Sequence, residues 1–254
     1  MRASIIYVTF ARDFEFIRYS LQSFKKFCKG FHSVVIVVPT HDLDLFLPLE
    51  KEFSTEECKV WIKNFLEFPN KGFVHHLAME CYADVFCADS DLIWHVDPDC
   101  LWIKPTTPQD YIVDKKPVLL IESFDALRER GHDGRYGWKK VVEDAVKFPV
   151  EYETMCRHPA VHYRRLYKML RERIESVHQV PFIDYVLKCK NSFPQGFAEY
   201  PTMGAIALHF MKDKYHFIDR GYDRELNDPE PHLEQMWSYR LNDYRKRINE
   251  ILNG

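Results

Sequence analysis

Apolar residues follow two alternating patterns through the first third of the chain. Residues 4–10 (SIIYVTF), 33–38 (SVVIVV) and 59–62 form short runs rich in β-branched and aromatic side chains, which are typical of buried strands. Between them, apolar residues recur at helical spacing over 13–27 and 42–53. This alternation predicts an α/β fold with a mostly parallel central sheet and helices on both faces.

Paired aspartates occur in three Asp-x-Asp triplets, at 42/44, 89/91 and 97/99, so position must decide which of them matters. Residues 84–88 (DVFCA) predict a buried strand, which would place Asp89 and Asp91 at its carboxyl end. Ligands bind at that edge in open α/β sheets. Two carboxylates beside apolar packing need a cation or hydrogen-bond donors, and Mg²⁺ or Mn²⁺ is the natural partner. Alternatively, the pair ends the strand and accepts hydrogen bonds from turn amides.

The rest of the chain continues the alternation. The charged, glycine-punctuated stretch 122–138 is typical of a mobile loop or lid. We find no repeat and no linker, so we expect a single domain over 1–254. The remaining predicted elements are helices at 72–81, 159–176, 182–189, 201–210 and 234–252, and a strand at 215–219.

Composition excludes several classes of protein. The 254 residues carry 35 basic and 38 acidic side chains, so the net charge of −3 offers no positive field for nucleic acid as a main partner. The longest aliphatic run, 34–38, is far shorter than the roughly 20 residues of a transmembrane helix. The seven cysteines form no Cys-x-x-Cys pair, no glycosylation sequon occurs, and we see no export signal. We therefore expect a soluble, cytoplasmic protein with reduced thiols.

Four motifs together resemble a known enzyme family. They are TFARD at 9–13, DSD at 89–91, FAEY at 197–200 and HLEQMWS at 232–238. Their order and spacing are similar to those of nucleotide-sugar glycosyltransferases of the GT-A fold, in particular small anchor-free enzymes of this type from bacteria and large algal viruses. The resemblance implies one Rossmann-like GT-A domain. Its nucleotide-sugar-binding half would be 1–100, and its acceptor-binding and catalytic half 101–254.

The resemblance also implies a donor site. Thr9, Arg12 and Asp13 would surround the base and ribose of a nucleotide-sugar donor, with UDP or GDP as the expected nucleotide. Asp89 would face the ribose or the metal, and Asp91 would bind Mn²⁺ or Mg²⁺. Relatives carry a Gln-Gln pair and a lysine in the preceding helix.

This chain has His75-His76 in place of that pair and no lysine at the matching turn. His75 is therefore the donor-binding candidate on this helix. Lys71, just before the helix, is a candidate for a phosphate contact.

Glu199 is the candidate catalytic base. Pro201 is typical of the first turn of a helix, so the Glu199 carboxylate is expected at a helix N-terminus, where it would otherwise only complement the helix dipole. Inverting members of the resembled family carry their base at this helix start, which implies sugar transfer with inversion to a hydroxyl of a glycan or glycoprotein acceptor. Many members add a histidine ligand to the metal; His216 is our first candidate, and His209 and His232 also qualify by position.

Two other functions compete with this interpretation. A phosphatase of the haloacid-dehalogenase type also carries Asp-x-Asp after a strand, but on its first strand and with Thr or Val where Ile93 stands. A non-catalytic, metal-dependent module that binds nucleotides or carbohydrates would explain an aromatic content of 15% without using Glu199.

Overall fold

The computed structural model describes residues 1–65, 72–156, 158–220, 230–237 and 241–254. Strands and helices alternate along most of the chain. The strands are β1 (Ala3–Val8), β2 (Ser33–Pro39), β3 (Lys59–Phe65), β4 (Leu92–His95), β5 (Cys100–Trp102), β6 (Ile112–Val113), β7 (Lys116–Ser123), β8 (Tyr152–Glu153), β9 (Ala160–Tyr163), β10 (His216–Asp219) and β11 (Leu233–Gln235). The helices are α1 (Phe14–Phe27), α2 (Leu43–Phe46), α3 (Pro48–Phe53), α4 (Gly72–Glu80), α5 (Ala83–Phe86), α6 (Phe124–Glu129), α7 (Asp133–Val146), α8 (Arg164–His178), α9 (Phe182–Lys188), α10 (Glu199–Phe210) and α11 (Leu241–Asn253).

The central sheet has five strands in the order β3-β2-β1-β4-β9. The first four run parallel, and β9 is antiparallel to β4. Alternate side chains of these strands are buried on opposite faces, beneath α1 and α3 on one side and beneath α4, α8 and α10 on the other. The predicted α/β fold with a mostly parallel sheet and helices on both faces is confirmed. No described helix is long and apolar enough to cross a membrane.

The strand predicted at 84–88 is wrong. Ala83–Phe86 is a short helix, in which Asp84 accepts two hydrogen bonds from the guanidinium of Arg171, at 2.6 and 2.8 Å. The strand of this region is β4, whose four residues are all buried between β1 and β9. A central strand needs apolar side chains on both faces, and the run 92–96 (LIWHV) meets that demand whereas Val85 is exposed. Because the strand is β4, Asp89 and Asp91 precede the strand instead of following it.

Two predicted helices begin with extended residues. Residues 160–163 form β9, so the helix predicted from 159 starts at Arg164. Residues 233–235 form β11, antiparallel to β5, and the last helix begins only at Leu241. In both segments, pairing with a neighbouring strand satisfies the backbone amides that a helix would otherwise use.

The stretch predicted as a mobile loop, 122–138, is instead packed as the end of β7 followed by α6 and part of α7. Its charges are used internally, because Arg130 pairs with Glu122 and Arg135 pairs with both Glu122 and Glu153. Both carboxylates are fully buried. A high charge content is therefore compatible with packing here, because the buried carboxylates are paired with cations that offset part of their desolvation cost.

Removing one arginine from these buried ion pairs should destabilise the protein. We expect Arg135→Leu to lower the free energy of unfolding by about 3–5 kcal/mol, because it leaves buried carboxylates without their partner. Arg128→Leu, in α6 and exposed, should change it by less than about 1 kcal/mol. Chemical denaturation of the two variants measures the difference. Equal small losses would show that the buried ion pairs contribute nothing.

Candidate functional site

A cavity of about 540 Å³ opens at the carboxyl edge of the parallel strands. The loop after β1 forms one wall, α4 forms a second, and the segment after β4 together with the start of α10 closes the floor. The cavity draws on both halves of the chain, 1–100 and 101–254. Its polar lining comprises Arg12, Asp13, His76, Glu80, Asp97, Asp99, Ser192, Glu199 and Tyr200.

Asp97 and Asp99 reach the cavity because β4 runs parallel to β1. The register pairs Ala3 with Leu92 and Ile6 with His95, and the N–H of Val96 then donates to the carbonyl of Ile6 at 3.1 Å. The chain leaves the sheet at the next residue, Asp97. A turn over Pro98 returns to β5, closed by the N–H of Cys100 donating to the Asp97 carbonyl at 3.0 Å. The Asp-x-Asp triplet at 97/99 is thus delivered to the ligand-binding edge, and both of its aspartates line the cavity.

Asp97 forms an ion pair with His158. The His158 Nε2 lies 2.9 Å from the Asp97 Oδ2, and the His158 ring packs edge-on against Tyr200. Burial alone would raise the pKa of Asp97, but the facing imidazolium outweighs it, so the net pKa lies below its ordinary value. Burial would likewise lower the pKa of His158, and the Asp97 carboxylate raises it instead. Each member of the pair thus favours the charged form of the other.

Glu199 is the first residue of α10, and its side chain is buried in the cavity wall. Burial, assisted by the negative charge of Asp97, raises the pKa of Glu199 to about 8. The helix that carries it is fixed against β8, where the Thr154 hydroxyl donates to the carbonyl of Tyr200 at 3.0 Å. A methyl group at Gly204 would overlap the Thr154 side chain, so only glycine allows this close approach.

A second buried carboxyl, Glu80, lies in the same wall. Its Oε1 accepts a hydrogen bond from the Tyr200 hydroxyl at 3.1 Å and lies 3.5 Å from the His76 Nε2. Its Oε2 has no hydrogen-bond partner among the described residues. Burial first, and then the neighbouring Glu199, raises the pKa of Glu80 well above its ordinary value. Burial also lowers the pKa of His76 to about 4, so this histidine is neutral.

Carboxyl groups outnumber cationic side chains in the described lining of the cavity. Of the described residues that line it, five carry carboxyl groups and Arg12 alone carries a guanidinium. Arg12 is itself mostly exposed and pairs with Asp13 at 3.2 Å. His158 pairs with Asp97, the Asp99 Oδ1 accepts a hydrogen bond from the Gln235 side chain, and burial raises the pKa values of Glu80 and Glu199. This set of carboxyl oxygens around one cavity is of the kind that a hard divalent cation prefers.

The loop after β1 carries three residues that the resemblance assigns to the donor, and the structure places them differently. Arg12 and Asp13 line the cavity, whereas Thr9 is buried beside it, with its N–H donating to the Val37 carbonyl at 3.0 Å. On α4 the two histidines face different ways. His76 lines the cavity, and His75 packs edge-on against Phe65 at 4.9 Å.

The predicted position of Asp89 and Asp91 is wrong. Both precede β4 and therefore lie at the amino edge of the sheet, where Asp91 accepts a hydrogen bond from the N–H of Arg2 at 2.7 Å. Asp89 is exposed there and borders a surface groove with Trp61 of β3. The structure therefore does not bring these two aspartates together with Glu199.

The histidine candidates also lie apart from the cavity lining. His216 begins β10 and is paired with Val118 of β7. The His232 Nδ1 lies 2.8 Å from the Thr106 hydroxyl, and His209 stacks on Phe148 at 4.0 Å. Lys71 lies outside the described residues.

Sequence reasoning missed Asp97, Asp99 and Glu80 as site residues. A signal for the first two exists, since the apolar run 92–96 directly precedes Asp97 and predicts a buried strand better than DVFCA does. The sequence offers His158, just before the helix predicted at 159–176, as a contact for donor phosphate or acceptor sugar or as a plain helix start, and not as the partner of Asp97. Glu80 carries no local signal and joins the site because α4 packs against the same edge of the sheet.

A separate acidic group does not resemble this site. Ligand atoms of Glu122, Glu153 and Cys156 lie within 4.8 Å of one another. The two carboxylates are already paired with Arg130 and Arg135, so a metal ion there would compete with resident cations.

No protein-family model matches the chain, and no curated protein matches it. Among solved structures, it is similar to the glycosyltransferase GlyE of Streptococcus pneumoniae TIGR4, with 8% sequence identity and a TM-score of 0.48. The match covers 89% of this chain and 47% of that structure, so the chain spans about half the length of the protein that it resembles.

Proposed function

We propose that the chain is a metal-dependent glycosyltransferase that moves a sugar from a nucleotide-sugar donor to an acceptor hydroxyl with inversion. The observation that carries this proposal is the convergence of Asp97, Asp99 and Glu199 on one cavity at the carboxyl edge of the sheet. Two carboxylates suited to a metal and one carboxyl with a raised pKa are what such a transfer requires.

Asp97 and Asp99 are the residues that would hold Mn²⁺ or Mg²⁺. The low pKa of Asp97 keeps it ionised, and the excess of carboxyls over cations in the cavity fits a hard divalent ion. When bound, such an ion neutralises the charge that develops on a departing diphosphate. Asp99 is oriented for this role by Gln235, whose side-chain amide donates to the Asp99 Oδ1 at 3.2 Å.

The loop after β1 is the proposed nucleotide-binding wall. The Phe10 ring lies 5.5 Å from the His76 ring, and the Arg12 guanidinium lies over Phe10 at 5.7 Å from its centroid. These flat groups suit a nucleobase, and the carboxylate of Asp13 suits ribose hydroxyls. UDP and GDP are the nucleotides we propose first.

Glu199 is the proposed general base. Its carboxylate would accept the proton of the acceptor hydroxyl as that oxygen bonds to the anomeric carbon, while the nucleoside diphosphate leaves from the opposite face. A base acts best when its pKa lies near the working pH, and burial places Glu199 in that range. The proposed acceptor is a glycan or glycoprotein.

Metal-dependent donor binding should require Asp97 and not Asp91. We expect a nucleotide-sugar with Mn²⁺ to raise the melting temperature of the wild type and of Asp91→Asn, because a ligand that binds only the folded state stabilises it. Asp97→Asn should lose this rise. A thermal-shift screen of UDP-, GDP-, CMP- and dTDP-sugars, with Mn²⁺ or EDTA, measures it. An unchanged rise in Asp97→Asn, or its loss in Asp91→Asn, would contradict the assignment.

Glu199→Gln should separate binding from chemistry. Glutamine keeps the size of the side chain but cannot take a proton, so donor affinity should persist while turnover falls by about 10²–10⁴-fold. Because only the ionised carboxylate is a base, kcat/KM of the wild type should rise with pH and level off above about 8. Assays of nucleoside diphosphate and inorganic phosphate release also separate transfer from phosphatase action. A variant within a few fold of the wild type, or a product that retains the donor anomer, would remove Glu199 from the mechanism.

A further inference from the structure

One side of the cavity mouth is lined by three aromatic rings, of which Phe73 and Phe193 are exposed and Trp138 is partly buried. We call Phe73, Trp138 and Phe193 the aromatic rim; all three line the cavity, from α4, α7 and the segment before α10. Phe193 is 57% exposed and Phe73 is 43% exposed. An apolar ring that is exposed to water contributes no hydrophobic free energy to folding. A group of such rings at a cavity mouth therefore marks a binding surface.

The segment that carries Phe193 is braced against α7. The Phe193 ring packs edge-on against Trp138, with their centroids 5.3 Å apart. Beneath it, Gly134 and Gly137 present a helix face without side chains. An added Cβ on either glycine would come within 3.2 Å of the Phe193 or Pro194 ring. The exposed ring therefore rests on a surface that closely fits it.

The same segment is braced against α4. The Val74 N–H donates to the Asn191 side chain at 3.2 Å, and the Gly196 N–H donates to the Ser192 carbonyl at 2.6 Å. Phe73 packs over Gly196, where the chain is too tight for a side chain. The rim is thus held in place before any ligand arrives, which lowers the entropic cost of binding.

The rim differs in charge from the cavity floor. Its three rings and the adjoining Pro194 and Gly196 carry no charge, whereas the floor carries carboxyls. A charged acceptor, whether anionic or cationic, would find no opposite charge on the rim. An uncharged sugar ring suits both the rim and the floor. Its C–H face packs on aromatic rings, and its hydroxyls form hydrogen bonds with the polar groups of the floor.

We propose that the aromatic rim is the acceptor subsite and that it takes an uncharged oligosaccharide, stacked on Trp138 and Phe193, with a terminal hydroxyl directed to Glu199. This inference rests on the proposed function, since it assigns the acceptor of that same reaction. The rim binds the acceptor non-covalently, so no covalent bond forms or breaks there.

The test is binding of the full-length protein, with UDP or GDP and Mn²⁺, to an array of uncharged, acidic and basic oligosaccharides and of peptides. We expect the wild type to bind at least one uncharged oligosaccharide. Trp138→Ala and Phe193→Ala should each weaken that binding by about tenfold, which is the scale of one lost aromatic contact. Phe193 is so exposed that its loss cannot unfold the protein, and thermal melting checks Trp138→Ala.

Trp61→Ala is the matched control, because Trp61 is 45% exposed on β3 at the edge of the sheet and does not line the cavity. It should bind as the wild type does. Binding to peptides or charged glycans alone, no binding at all, or equal binding by all variants would overturn the inference. Release of nucleoside diphosphate by the wild type, with water as acceptor, is measured in parallel. If that release occurs while the array result fails, only the acceptor subsite is wrong; if no donor is turned over, the proposed function fails as well.

Discussion

The parallel pairing of β4 with β1 is the constraint on which the site depends. Once Ile6 and His95 are paired, whatever follows His95 must leave the sheet at its carboxyl edge, and whatever precedes Leu92 must lie at its amino edge. Asp97 therefore enters the cavity, and Asp91 bonds the backbone of Arg2 instead. The same edge receives the loop after β1 and the N-terminus of α10, because parallel strands and their connections converge there.

Burying several carboxyl groups at that edge costs free energy, because each one loses contact with water. Neighbouring side chains offset part of this cost for Asp97 and for Glu80. Asp97 is neutralised by His158, and Glu80 accepts a hydrogen bond from Tyr200. Glu199 forms no ion pair among the described residues, and burial raises its pKa. One environment thus contains one carboxyl that stays ionised and one that titrates near neutrality. A metal-ligating aspartate and a general base need these two different states.

Much of the fold could be predicted from the sequence. The run 33–38 fills both faces of a parallel sheet, Val60 and Ile62 bury one face of the edge strand, and the helical period of α1 is unambiguous. The site was harder to predict, because a run as short as 84–88 fits either a strand or a helix. The choice of a strand there placed Asp89 and Asp91 at the carboxyl edge of the sheet instead of the amino edge. Glu199 was placed correctly at a helix start, since Pro201 marks the first turn through local chemistry alone.

The charged stretch 122–138 shows a different limit. Charge and glycine content favour a solvated loop when each residue is considered alone. In the fold, Arg130 and Arg135 meet Glu122 and Glu153, and Gly134 and Gly137 make room for the rim segment. Pairing across distant parts of the chain cannot be deduced from local pattern, so neither the pairing of His158 with Asp97 nor the place of Glu80 in the site could be predicted.

The most direct measurement of the central claim is the anomalous diffraction of Mn²⁺ in crystals grown with a nucleoside diphosphate. The account predicts one strong manganese peak within about 2.5 Å of carboxylate oxygens of Asp97 or Asp99, with the diphosphate on the same ion. A peak at Asp89 and Asp91, or a diphosphate bound in the cavity with no ordered manganese, would contradict it.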